Sequence, residues 1–185
     1  MDKHLVKDLM VPISEYATVV VGTSLIDAIK TLELAQETYT MRKYLHRAVL
    51  VLDAGGRVVG KISQLRALKA IQPEFKSNAE IERLKEFNFS DNYIARLRDL
   101  YRSDGKIMSD HSLREAATKK VEEFMQTPTP GEFVQESSSL DTAIHRLVAG
   151  THLSLLVTRD EVIVGILRIS DVFAAVFHKM NALDT

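Results

Sequence analysis

The side chains that could carry catalysis or bind a metal are few, and their spacing fits no known arrangement. The six histidines form no His-x-x-x-His pair and have no neighbouring carboxylate cluster, which favours solvated or capping roles. The absence of cysteine excludes thiol nucleophiles, disulfides and cysteine-ligated zinc. The chain also lacks a Gly-x-Ser-x-Gly elbow, a P-loop, a His-Glu-x-x-His motif and a doubled carboxylate motif. We therefore expect no catalytic residue, no metal site and no enzymatic activity.

Two short polar segments before predicted apolar helices are the remaining candidates for chemistry. In the second segment, Ser170 and Asp171 precede a helix, so their simplest role is N-capping, which contributes about 1 kcal/mol. In the first segment, Ser63 has the same simple interpretation. Arg66 and Arg168 are equally compatible with surface charges at helix starts. A binding role for these residues needs support from the organisation of the chain.

That organisation is a repeat. The pattern around Met10 returns 115 positions later around Met125, and the pattern around Gly60 returns 105 positions later around Gly165. The first copy therefore carries about ten more residues between its helix and its next strand. Two copies of one supersecondary unit can bury their apolar faces against each other. A pocket between pseudo-symmetric halves is then the natural place for a function.

Each copy predicts the same order of elements: helix, strand, helix, strand, strand, helix. Pro12 ends the first short helix, and Ser24 with Asp27 starts the second one as a capping box. The first copy is predicted to have strands at 18–21, 48–52 and 57–62, a hairpin turn at 53–56, and a closing helix from Leu65. The second copy is predicted to have strands at 132–134, 154–157 and 162–167, a turn at 159–161, and helices at 140–148 and 172–180.

The segment between the copies is different in character. Residues 72–120 are charged, rich in helix formers and nearly free of strand signals. They predict helices over 79–87 and 91–101 and a third helix opened by a capping box of Ser112 and Glu115. The prediction is an α/β (α+β) chain with one domain at 1–71, an all-helical insertion at 72–120 and a second domain at 121–185.

Composition and charge narrow the function classes. The contents of 45% hydrophobic and 26% charged residues are those of an ordinary globular protein. A net charge of −1 gives no excess of positive charge that would attract nucleic acid or an anionic membrane surface. The longest fully apolar run, 48–52, is far too short to span a bilayer, and the N-terminus lacks a signal-peptide pattern. We expect a cytoplasmic protein with neither nucleic acid nor membrane as its partner.

The order of elements, with a Met-containing turn, a Ser-Leu-x-x-Ala-Ile helix and a Val-Val-Gly strand, resembles the cystathionine-β-synthase (CBS) domain. Two such domains in tandem resemble a Bateman module. The resemblance covers residues 1–71 and 120–180 and leaves the central helices without a counterpart. It implies two βαββα repeats that pack pseudo-symmetrically, with clefts between the sheets that bind AMP, ADP, ATP or S-adenosylmethionine. No further cofactor is implied.

The resemblance also implies site residues. The family's ribose and phosphate motif ends in an aspartate, and the second copy reads Gly-Ile-Leu-Arg-Ile-Ser-Asp at 165–171. Asp171 would accept hydrogen bonds from the ribose hydroxyls, while Ser170 and the helix N-terminus would face phosphate. Arg168 stands where a hydroxyl is usual and could clamp a phosphate. The turns at Gly22 and Ser137 would form the opposite rim of the cleft.

The first copy departs from the motif. It reads Gly-Lys-Ile-Ser-Gln-Leu-Arg at 60–66, so Ser63 keeps the hydroxyl but Arg66 replaces the aspartate. If one cleft is occupied, we expect it to be the cleft at Asp171. There Glu136 would be an unfavourable neighbour for phosphate unless Arg168 or a metal ion offsets it.

Two functions remain open at this point. The first is a regulatory module that senses an adenine nucleotide or a related adenosyl ligand and passes its occupancy to an unknown regulated protein. The second is a ligand-free homodimeric scaffold whose central helices bind another protein, an alternative favoured by Arg66 and Arg168. The resemblance implies a homodimer in either case, because modules of this family pack their helices face to face.

Overall fold

The computed structural model describes residues 4–38, 46–71, 90, 92, 93, 95, 96 and 109–183. In chain order its strands and helices are β1 (Val11–Pro12), β2 (Thr18–Val20), α1 (Leu25–Thr38), β3 (Ala48–Leu52), β4 (Val58–Ser63), α2 (Gln64–Ile71), α3 (Asp110–Thr118), α4 (Val121–Phe124), β5 (Phe133–Gln135), α5 (Leu140–Ala149), β6 (Ser154–Arg159), β7 (Val162–Arg168) and α6 (Ile169–Asn181). Short 3₁₀ turns lie at Val6–Asp8, Ile13–Glu15 and Pro130–Glu132. None of the helices in this described part combines the length and apolar character that crossing a bilayer requires.

The two copies form two sheets with the same internal order. In the first lobe (β2–β4 with α1 and α2), β3 lies between β2, which is parallel to it, and β4, which is antiparallel. In the second lobe (β5–β7 with α5 and α6), β6 lies between parallel β5 and antiparallel β7. β1 joins the second sheet beside β7, with Val11 opposite Ile166. The predicted pair of βαββα repeats is confirmed.

The segment that begins each copy docks on the lobe of the other copy. We call residues 4–12 the first arm and residues 119–127 the second arm. The Leu140 amide at the start of α5 donates to the His4 carbonyl at 3.1 Å, and the Leu25 amide at the start of α1 donates to the Lys119 carbonyl at 2.8 Å. Because these contacts are 115 residues apart in both partners, the arms are exchanged pseudo-symmetrically.

The repeated glycines lie where each arm crosses the other copy's last strand. A Cβ atom on Gly165 would lie 2.7 Å from the Val11 carbonyl oxygen and 3.0 Å from the Met10 sulfur. A Cβ atom on Gly60 would overlap the side chain of Met125. The repeated methionine and glycine are therefore two halves of one contact, and only a residue without a Cβ allows this close approach.

Three apolar clusters hold the lobes together. Each lobe has a cluster between its sheet and helices, and each cluster includes a valine from the other copy's arm: Val121 in the first lobe and Val6 in the second. The third cluster lies between the sheets, where Leu50 of β3 and Leu156 of β6 pack together with Ile166. β3 is buried on both faces, which explains its continuous apolar run.

The longest described part of the insertion is the helix α3. α3 packs against both α1 and α2 through a cluster of Leu25, Ala70 and Ala116. Its N-cap is Ser109, whose hydroxyl accepts from the Ser112 amide at 3.2 Å, so the expectation that Ser112 opens the helix is wrong. Ser109 stands three residues earlier and already satisfies that amide. The predicted helices at 79–87 and 91–101 lie outside the described residues, except for helical positions 92, 93, 95 and 96.

Two elements of the second lobe begin at residues other than the predicted ones. β5 begins at Phe133 rather than at 132, because Glu132 closes the 3₁₀ turn that begins at Pro130. α6 begins at Ile169, three residues before the predicted start. Both differences bear on the candidate site, because they decide which polar side chains lie at the ends of strands.

Candidate functional site

In the second lobe, β7 runs into α6 without an intervening loop. Arg168 is the N-cap residue, with an extended backbone (φ −89°, ψ 144°) and no capping hydrogen bond from its side chain. The Ile169 amide donates to the Leu153 carbonyl at 3.0 Å, which ties the first residue of the helix to the segment before β6. Ser170 and Asp171 are therefore the second and third residues of α6. The expectation that they cap this helix is wrong.

The structure pairs two of the predicted site residues with each other. The Arg168 guanidinium donates from Nε to Oδ2 of Asp171 at 2.6 Å and from Nη2 to Oδ1 at 2.8 Å. The arginine side chain is 6% exposed and the aspartate side chain 9%. Such a two-pronged pair is among the stronger hydrogen-bonded arrangements, and removing one partner of a buried ion pair costs about 3–5 kcal/mol. Ser170 lies beside the pair and is partly buried.

In the first lobe the equivalent junction has different chemistry. The Ser63 hydroxyl accepts from the Arg66 amide at 3.2 Å, so Ser63 caps α2 and its simple interpretation is confirmed. Ser63 and Arg66 occupy the positions of Arg168 and Asp171 in the repeat. The first junction thus has a hydroxyl and an arginine where the second has an arginine and a carboxylate.

Close to the first junction lies a buried charge pair that the sequence analysis missed. Lys61 of β4 forms an ion pair with Glu132, which closes the 3₁₀ turn before β5 and is fully buried. Glu132 also accepts from Gln126 Nε2 at 3.0 Å and from the Thr129 hydroxyl at 3.1 Å. Burial raises the pKa of Glu132, but the hydrogen bond and charge of Lys61, with those from Thr129, outweigh it and leave the pKa lowered. A lysine within an otherwise apolar strand was the available signal.

The predicted opposite rim lies at the far end of each sheet. β3 places Leu52 beside β2 near Gly22, and Ala48 beside Ser63. Four residues of strand separate these ends, roughly 13 Å. The Gly22 amide donates to a Glu122 carboxylate oxygen at 2.9 Å, and the Gly22 carbonyl accepts from Lys120 at 3.0 Å.

The second lobe has the same layout. Ser137 lies next to Glu136, whose amide donates to the Thr158 carbonyl, whereas Arg168 pairs with Ser154 at the opposite end of β6. The structure therefore does not bring Gly22 or Ser137 to the helix junction of its own lobe.

Glu136 is offset by a different arginine from the expected one. Arg159 donates to it at 2.5 Å from Nε and 2.8 Å from Nη2. The hydrogen bond from Arg159 lowers the pKa of Glu136. Arg168, which the sequence analysis named with a metal ion as able to offset Glu136, does not do so, because Arg168 is held by Asp171 at the other end of the sheet. Among the described residues, no group of three or more His, Cys, Asp or Glu side chains could hold a metal ion.

A separate apolar cavity of about 360 Å³ lies in the first lobe. It is bounded by Leu25 and Leu32 of α1 and by Ala67 and Ile71 of α2, with Ser63 at its edge. α5 and α6 of the second lobe pack directly against each other, whereas α3 contacts both α1 and α2 in the first. In the first lobe, where α3 lies against both α1 and α2, these two helices leave an apolar cavity between them.

A family model for the CBS domain matches residues 6–73 and 121–178. The chain belongs to the CBS-domain family. The two matched regions coincide with the two copies of the repeat, so this is a tandem CBS protein, and the junctions described above are those of its two CBS domains.

Solved CBS-domain structures share this fold over nearly the whole chain. A CBS domain-containing protein of unknown function from Bacillus anthracis is 18% identical with a TM-score of 0.63, and the match covers 96% of this chain and 95% of that one. CBSX2, solved in complex with AMP, is 18% identical with a TM-score of 0.58, covering 96% and 98%. Protein MJ1004 from M. jannaschii is 18% identical with a TM-score of 0.57, covering 94% of this chain and 59% of that one. At these identities the likeness shows the fold.

The 59% coverage means that this CBS chain spans less than two thirds of the length of MJ1004. No curated protein matches its sequence.

Proposed function

We propose that this CBS protein is a regulatory module that senses an adenine nucleotide at the junction of β7 and α6. The observation that carries the proposal is the placement of Arg168, the last residue of β7, beside Asp171 in the first turn of α6. A carboxylate can accept hydrogen bonds from a ribose diol, and a guanidinium can bind a phosphate. The AMP complex of CBSX2, a protein of the same fold, supports an adenine ligand.

The proposal assigns one such site to each chain. At the first junction Arg66 stands in place of the aspartate, so no carboxylate at that position can accept the ribose hydroxyls. Ser63 is already engaged as the cap of α2. Within the proposal, Ser170 lies next to the phosphate, because it belongs to the first turn of α6, where the helix dipole favours an anion.

Regulation would act through the packing of the two lobes. A ligand shifts an equilibrium between two arrangements only by the difference in its affinity for them. The exchanged arms connect each junction to the opposite lobe, since β1 runs beside β7 and residue 126 pairs with Lys61 of β4. A ligand that moves the start of α6 would therefore also move the first arm, because β1 of that arm is paired with β7.

The proposal includes a homodimer. α6 exposes an apolar stripe made of Phe173, Phe177 and Met180, which are 70%, 51% and 61% exposed. These residues are spaced so that they share one face of the helix. A contiguous apolar face is a feature of protein interfaces, and a second copy would bury it. Sedimentation of the purified protein tests whether it is a dimer.

The proposal also includes a cytoplasmic location, which the absence of cysteine favours.

Titration calorimetry with AMP, ADP, ATP and S-adenosylmethionine tests the site. We expect at least one of these ligands to bind, and Asp171→Ala to weaken it at least about tenfold through the loss of charged hydrogen bonds. Asp141→Ala is the matched control, because Asp141 is an exposed aspartate in the first turn of α5 in the same lobe. Asp171→Asn keeps the shape of the side chain and serves if the alanine variant does not fold. Equal affinity in a folded Asp171 variant would contradict the assignment.

A ligand-free scaffold is the second candidate. It is favoured by the same ion pair, because Asp171 is already occupied by Arg168, and by Arg66 in the first copy. A thermal-shift screen separates the two, since a ligand that binds only the folded state raises the melting temperature. If no nucleotide in the set raises it, the scaffold is the better description.

A further inference from the structure

The ion pair at the start of α6 uses the atoms that a ribose would need. Both carboxylate oxygens of Asp171 accept from Arg168, at 2.6 and 2.8 Å, and only 9% of the aspartate side chain is exposed. A carboxylate has further lone pairs, but burial leaves little room for two hydroxyls to reach them beside the guanidinium. A ribose can therefore bind Asp171 only when Arg168 moves. Ribose binding and ion pairing compete.

Moving Arg168 has a consequence for the kind of ligand that can bind. The guanidinium is 6% exposed where it lies, and the loss of the counter-charge of a buried ion is strongly unfavourable. A neutral nucleoside would satisfy Asp171 but offer no anion to Arg168. A nucleotide brings a phosphate as well, and a guanidinium binds phosphate with the same two-pronged geometry that it uses for a carboxylate.

Burial distinguishes this pair from the other arginine-carboxylate pairs among the described residues. Arg159 pairs with Glu136 in the same manner but is 59% exposed, so water can replace its partner. Arg57 pairs with Asp53 in the hairpin of the first lobe and is 83% exposed. At the first junction, Ser63 occupies the position of Arg168 and no equivalent pair forms.

From these observations we infer that Arg168 determines the specificity of the proposed site, by restricting it to adenosine ligands that carry a phosphate and excluding adenosine itself. The inference rests on the proposed function and adds to it the class of ligand. It assigns Arg168 two partners in turn: the Asp171 carboxylate in the empty protein and the phosphate of the ligand in the complex.

The test compares the affinities of adenosine, AMP and ATP by calorimetry for the full chain and for Arg168→Ser. Serine is chosen because it is the first lobe's own residue at this position, Ser63. We expect the unmodified protein to bind AMP at least about tenfold more tightly than adenosine. In Arg168→Ser the adenosine affinity should rise, because Asp171 is released, and the preference for AMP should fall at least about tenfold.

Two further variants keep the test decisive. Arg168→Lys retains the charge and the long aliphatic side chain but cannot donate two parallel hydrogen bonds. It should therefore shift the preference for AMP in the same direction by a smaller factor. This variant serves if Arg168→Ser does not fold. Arg57→Ser removes an exposed paired arginine and should leave the preference unchanged.

The outcomes separate the two proposals. If AMP binds but the AMP-to-adenosine ratio is the same in all folded variants, the inference about Arg168 is overturned and the proposed function stands. Loss of every ligand in folded Arg168→Ser also overturns it, because the arginine would then be needed for binding as such. If neither the unmodified protein nor any variant binds a nucleotide or adenosine, the proposed function fails and the inference fails with it.

Discussion

The two lobes have the same backbone plan and different chemistry at corresponding places. At the junction of the last strand and last helix, the first lobe has Ser63 and Arg66, and the second has Arg168 and Asp171. The first pair of residues gives a capped helix, and the second gives a buried ion pair. The comparison teaches that the CBS fold supplies the position, while one or two side chains decide whether that position carries a helix cap or a buried ion pair.

The contacts between each lobe and the opposite arm differ in the same way. In the second lobe Ile166 lies opposite Val11, and both are buried and apolar. In the first lobe the equivalent residue of the repeat is Lys61, and its charge is held by Glu132 from the other copy. One edge of the module is therefore joined by apolar packing and the other by an ion pair, so the two edges should respond differently to substitution and to pH.

The largest effect is expected at this ion pair. Glu132→Gln leaves the Lys61 ammonium in a largely buried place without its counter-charge and should lower the free energy of unfolding by about 3 kcal/mol. Chemical denaturation measures the change. Glu136→Gln is the matched control: Glu136 also pairs with a basic residue, but that arginine is mostly exposed, so the loss should be much smaller. Equal losses of unfolding free energy in the two variants would show that burial does not increase the contribution of the Lys61–Glu132 pair to stability.

The pH dependence of the stability of the same variant tests the lowered pKa of Glu132. The pKa of Glu132 is lower in the folded chain than its ordinary value of 4.5, so its stabilising contribution is present above that value and is lost as the pH falls through the folded pKa. The difference in stability between the unmodified protein and Glu132→Gln should therefore shrink over the range of pH below that ordinary value. A difference that stays constant over this range would contradict the lowered pKa.

An intermediate effect is expected where the arms cross the strands. In Gly165→Ala the new methyl group meets the Val11 backbone oxygen, which cannot move without disturbing β1, so we expect a loss of about 1–3 kcal/mol. In Gly60→Ala it meets only the flexible side chain of Met125, and the loss should be smaller. Thermal unfolding of the two variants measures the order. The reverse order would mean that the two crossings are not packed as described.

Part of this molecule could be predicted from sequence because its signals are local or repeated. The patterns around Met10 and Gly60, which return around Met125 and Gly165, predicted two copies of one unit, and the local apolar periodicity predicted their strands and helices. The exchange of the arms could not be predicted in this way. The sequence of residues 4–12 does not predict which lobe this arm packs against, because its contacts are with residues more than a hundred positions away in the chain.

The candidate site shows the same limit at smaller scale. Ser-Asp before an apolar helix is a strong local signal for an N-cap, and that signal was misleading, because the Ile169 amide bonds to Leu153 and the helix begins earlier. The pairing of Arg168 with Asp171 needs both the true start of the helix and the burial of the strand end, and only the folded chain supplies these. Ser63, which has the same simple interpretation from sequence, does act as a cap.

The smallest effect concerns this contrast between the two serines. Ser63 accepts a hydrogen bond from the third amide of α2, whereas Ser170 already lies within α6. Ser63→Ala should therefore lower the free energy of unfolding by about 1 kcal/mol, and Ser170→Ala should change it by much less. Chemical denaturation of both variants without ligand gives the comparison. If Ser170→Ala cost as much as Ser63→Ala, the two junctions would be alike in their capping, and the difference between the lobes would rest on Arg168 and Asp171 alone.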